Sequence, residues 1–157
     1  MKAASISEIK AALKERSPVE TTDLLLRLAR YKKENKELLT YLLFDADDLT
    51  NYLQQVKEEM DTSFAEMNKA NLHWAKKSIR KILRFANKHI RYTGSTEAEI
   101  ELLLHFCISL KGSKIPINKS AALMNLYESQ IKKINAAIDT LHEDLQHDYR
   151  REVERLG

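Results

Sequence analysis

The sequence predicts an all-α fold of stacked helical hairpins. Three observations carry the prediction. Among 157 residues there are only three glycines and two prolines, well below the roughly 7% and 5% of ordinary domains. Apolar residues recur at i, i+3, i+4, i+7, and no stretch alternates at period two. Helix-start signals stand at regular intervals along the chain. With 43% hydrophobic and 31% charged side chains, the chain is no disordered polymer, and its length suits one domain of about seven helices.

Each predicted helix has its own warrant. Ser5-Ile6-Ser7-Glu8 and Ser17-Pro18-Val19-Glu20 are capping boxes, in which a hydroxyl and a carboxylate satisfy the free amides of the first turn reciprocally. Pro18 falls at the first helical position, where its missing N–H costs nothing. They open helices near 6–15 and 18–33, the second with a stripe of Leu24, Leu25, Leu28 and Tyr31. Further helices are expected near 35–44, 48–68 and 72–92, the last carrying Leu72, Ala75, Ile79, Ile82, Ala86 and Ile90 at helical spacing. Gly94 is a helix stop, and Thr96-Glu97-Ala98-Glu99 reads as a third box opening a helix near 97–111. Residues 112–118 are the one true linker. A single long helix is expected from about 119 to 155. Its Met124, Tyr127, Ile131, Ile134, Ile138, Leu141 and Leu145 step by threes and fours over three heptads. That stripe reads as core or, where it outruns the domain, as a contact for self-association or a protein partner.

Leu26-Arg27-Leu28-Ala29 echoes Leu83-Arg84-Phe85-Ala86, and each precedes a helix rich in paired leucines. Two hairpins of like design stacked together make a short α-solenoid; the alternative is a plain bundle. The Ser-x-x-Glu start, the Leu-rich run ending at Ala29 and Glu37-Leu38-Leu39-Thr40-Tyr41-Leu42-Leu43-Phe44 together resemble an uncharacterised all-helical bacterial family over residues 5–110. The resemblance implies a helical fold in a bacterial cytoplasm and lends no activity.

Function classes are bounded mostly by exclusion. Too few glycines remain for a phosphate-binding loop or a dinucleotide fingerprint. The opening residues contain no apolar core of a signal peptide, and no run approaches the roughly 20 apolar residues of a membrane span. Cys107, the sole cysteine, reads as a small buried hydrophobe. Asp139-Thr140-Leu141-His142 and Asp144-Leu145-Gln146-His147 are two Asp-x-x-His steps. On one continuous helix their imidazoles point about 140° apart, so they close on no single ion. No nucleophile–base pair is specified, and no enzyme, metal or cofactor is implied.

The net charge of +3 conceals a sharp division. Residues 45–66 carry seven acids and one base, while residues 67–96 carry eight bases and no acid. Lys77, Lys81, Arg84, Lys88 and Arg91 form one ridge of the fifth helix, and Lys69, His73, Lys76 and Arg80 a second beside it. The candidate binding surface is therefore Lys76, Lys77, Arg80, Lys81, Arg84, Lys88 and Arg91. Two accounts compete for it. If the fourth and fifth helices pair, the opposed blocks neutralise each other. If they do not, the face is open to an anionic protein or to RNA, with Trp74 or Tyr92 available for base stacking. The chain is expected to be a non-catalytic interaction or scaffold module, with a nucleic-acid adaptor as the alternative.

Overall fold

Eight α-helices and no strand make up a computed structural model that describes residues 1–157. The all-α expectation holds, with one helix more than the seven read from the sequence. The chain divides into two compact units, Met1–Phe44 and Asp45–Gly157.

The N-terminal unit contains α1 (Ile6–Lys14), α2 (Pro18–Tyr31) and α3 (Lys33–Thr40). Both capping boxes form: the Ser5 hydroxyl accepts from the Glu8 amide, the Glu8 carboxylate accepts from the Ser5 amide, and Ser17 and Glu20 repeat the exchange. A single extended residue, Lys32, joins α2 to α3, and the Asn35 side chain pins the turn by donating to the Leu28 carbonyl at 2.8 Å. The two helices pack on each other. A turn of π-helix, Tyr41–Asp45, continues directly from α3. The predicted apolar stripe of α2 is present but uncovered, for α1, α2 and α3 contain no buried residue.

The C-terminal unit contains α4 (Leu49–Glu66), α5 (Leu72–Thr93), α6 (Thr96–Gly112), α7 (Ala121–Ile138) and α8 (Glu143–Arg155). Asp48, Asn71, Ser95 and Ser120 cap the first four. The cap of α6 is thus Ser95 rather than Thr96, whose place is the first helical position. Gly94 ends α5 in the left-handed region (φ 59°), its N–H bonded to the Ile90 carbonyl.

The core centres on α6. Ile100, Leu102, Leu103, Leu104, Phe106, Cys107 and Leu110 are buried, so apolar side chains surround the helix instead of forming one stripe. It is covered from three directions, by α4, α5 and α7. α4 contributes Leu53, Val56, Met60 and Phe64, α5 contributes Ala75, Ile79 and Ile82, and α7 contributes Leu123, Ile134 and Ile138. A central helix covered on several sides fits a helical bundle or a stack of hairpins.

The expected long last helix is broken. Asp139 closes α7, the Thr140 hydroxyl bonds back to the Ala137 carbonyl at 2.7 Å, and His142 caps α8 by accepting from the Asp144 amide. Gln146 donates to the Leu141 carbonyl at 2.7 Å, and Arg150 pairs with Asp139 across the break. The heptad stripe therefore stops at Ile138. Glu143 and Asp144, first-turn acids suited to the positive end of a helix, were the sign that a new helix begins there.

The linker also differs from a glycine-led stop. Gly112 ends α6 within its last turn, and the left-handed residue is Lys114 (φ 63°). An L-residue there is strained by about 1 kcal/mol relative to glycine. Lys114→Gly is expected to raise stability by about 0.5–1 kcal/mol in urea unfolding, with no change in helix content.

Candidate polyanion-binding face

The α5 sequence has an apolar side and a cationic side, with no acidic residue anywhere in it. Burial of Ala75, Ile79, Ile82 and Ala86 against the bundle fixes the rotation of the helix. Lys77, Arg80, Lys81, Arg84 and Arg91 are thereby turned to solvent, with Lys76 half-buried at the edge. At 1.5 Å per residue the row from Lys77 to Arg91 is about 21 Å long.

The acidic block of α4 lies on the helix that packs beside α5, yet it does not engage this row. Lys76, Lys77, Arg80, Lys81, Arg84 and Arg91 have no carboxylate within ion-pair distance. Lys88 is engaged and also lies over the Phe85 ring at 5.8 Å. The groups of α4 find partners on α6: Lys57 pairs with Glu101 at 3.0 Å, and Asp61 bonds His105 at 2.7 Å. Glu66 shares with Lys81 a cleft of about 320 Å³ at the α4–α5 turn, without pairing with it. The helices meet as the neutralisation account requires, but their charges do not pair at contact.

At one end of the row Trp74 is 45% exposed. His73 stands edge-on to its ring at 5.4 Å, and the Lys77 ammonium sits 5.0 Å above it. Phe85 joins an aromatic group with His89 at 4.5 Å, and His89 meets Tyr52 and Tyr92. Tyr92 thus belongs to this α4–α5 contact.

No three of the His, Cys, Asp and Glu side chains converge as metal ligands would. The first Asp-x-x-His step spans the helix break, with Asp139 paired to Arg150, and the second lies within α8. Tyr127, Met124 and Ile131 of α7, with Val153 and Leu156 near the end of α8, line an open groove of about 680 Å³. Lys111 reaches over the Tyr127 ring there and donates to the Leu156 carbonyl.

Burial pushes the Cys107 thiol up to about 12, against a smaller opposing pull from Lys111. Burial and then the Glu101 and Glu97 charges push the Tyr149 phenol up to about 12. In the unfolded chain these groups titrate near roughly 8.5 and 10. Between those values and 12 the folded state holds more protons, so both contributions to stability are intact at neutral pH and decline as pH rises. Urea midpoints are expected to fall progressively above about pH 9. Maleimide labelling of Cys107 at about pH 8 should proceed only as fast as global unfolding.

No protein-family model, no curated protein and no solved structure matches this chain. No helix is long and apolar enough to cross a membrane.

Proposed function

We propose that the chain is a non-catalytic helical interaction module whose binding surface is the basic face of α5. One observation carries this reading: five exposed cations in a row have no carboxylate partner although an acidic helix packs alongside. A solvated face of mixed sign is the usual product of neutral surface drift, and a row of one sign over 22 acid-free residues is a focused field. A face of one sign on a rigid rod favours a partner whose negative charges repeat along its length, and a nucleic-acid backbone meets that requirement. The half-exposed Trp74 at the end of the row adds a surface on which an unpaired base can stack. The partner is therefore read as single-stranded RNA, gripped through phosphates without base-edge readout.

The test is fluorescence anisotropy of the full chain with a mixed-sequence RNA of about 20 nucleotides, competed by an acidic peptide of equal charge. Binding that RNA displaces and the peptide does not supports the reading. Equal displacement assigns the face to an acidic protein partner, and no binding at low salt removes it. The sole cysteine, buried and free, suits a reducing cytoplasmic setting.

A further inference from the structure

The N-terminal hairpin bears an uncovered surface whose counterpart in the other unit is fully covered. Leu24, Leu25, Leu28 and Tyr31 of α2 are 43%, 45%, 57% and 76% exposed, and Leu42, just past α3, is 56% exposed. Leu25, Leu28, Leu38 and Leu42 line one continuous apolar groove. In α5–α6, the hairpin with the echoing sequence, Leu102, Leu103 and Leu104 are buried beneath neighbouring helices. A segment of 44 residues is below the size at which a chain closes a core alone.

We propose that α2 pairs antiparallel with α2 of a second copy of this chain, about a two-fold axis near Leu25. Charge complementarity selects this occupant. Glu20 and Asp23 stand in the first half of α2, and Arg27 and Arg30 in the second. An antiparallel pair sets Asp23 beside the partner's Arg27, twice over by symmetry. Within one chain Asp23 and Arg27 are four residues apart and do not pair, so both are open to a partner. The same antiparallel register places Leu25 against the partner's Leu25 and Leu24 against the partner's Leu26. A lipid surface offers no match for such an antisymmetric pattern.

The five exposed large side chains leave an apolar patch on the order of several hundred Å², the size that marks an interaction site.

The test is the mass of the full chain in solution at tens of micromolar, by light scattering and sedimentation. The expected mass is twice 18.2 kDa. Leu28→Glu, at a position already open to solvent, is expected to give 18.2 kDa with unchanged circular dichroism. Arg27→Asp should raise the dimer dissociation constant about tenfold or more, and the exchange Asp23→Arg with Arg27→Asp should restore it. A monomeric parent chain, a dimer indifferent to Leu28→Glu, or a charge exchange that fails to rescue would each overturn the proposal. So would a monomer that co-sediments with anionic phosphatidylserine vesicles, which would assign the surface to a membrane.

Discussion

Replacing Lys81, Arg84 and Arg91 together by glutamate is expected to lower RNA affinity by about 100-fold or more at low salt. Each substitution removes one phosphate contact and adds a like charge at the same place. The three positions span most of the exposed row and have no ion pair to lose. Folding is therefore expected to survive, and circular dichroism and the urea midpoint should stay near those of the parent chain. Reversing the acidic block at Glu58, Glu59 and Glu66 is the matched control. Those exposed carboxylates belong to α4, so the change should leave binding unchanged or strengthen it modestly. A gain in the acidic-block variant as large as the loss in the basic-face variant would indicate a response to net charge alone, with no part for the α5 face.

The second large effect belongs to the bundle centre. Phe106 has no exposed surface and packs against Phe64 with ring centroids 5.8 Å apart. Phe106→Ala removes a full aromatic side chain from the middle of α6, where α4, α5 and α7 already limit collapse. The expected cost is about 3–5 kcal/mol, lowering the melting temperature by on the order of 10 °C. A loss below about 1 kcal/mol would mean that the C-terminal unit does not depend on packing around α6. Leu28→Ala is the useful contrast, since Leu28 is 57% exposed and contributes little within one chain. A large loss there in the dimer, set against a small one in a monomeric variant, would separate quaternary from intrachain stability.

Most helices were legible because their ends are written in short-range chemistry. Ser5, Ser17 and Gly94 each act within one turn of the chain, so sequence spacing was enough to locate them. The acid-free stretch of α5 was likewise visible, since charge and helical phase are both local. What escaped were features decided by neighbours or by weaker signals. The break at 139–142 uses His142 as a cap, outside the usual Ser, Thr, Asp and Asn set. An unbroken heptad stripe outweighed it. Two apolar stripes of similar appearance met opposite fates: that of α5 is buried, and that of α2 is bare. Nothing in either stripe distinguishes them, because burial is a property of what packs against a helix. The pairing of Asp61 with His105 and of Lys57 with Glu101 was equally hidden, for each bond spans more than forty residues. Those bonds tie α4 to α6 and engage Asp61 away from the α5 cations.

The salt dependence of RNA binding tests the central claim most directly. Five exposed cations along one strand predict that the logarithm of the binding constant falls with the logarithm of salt concentration at a slope of about −3.5. Between about 50 and 200 mM salt, affinity should drop about 100-fold, and the Lys81, Arg84 and Arg91 variant should show a slope shallower by about 2–3. Binding that is flat in salt, or a variant with the parent slope, would contradict the assignment of the α5 face as the site.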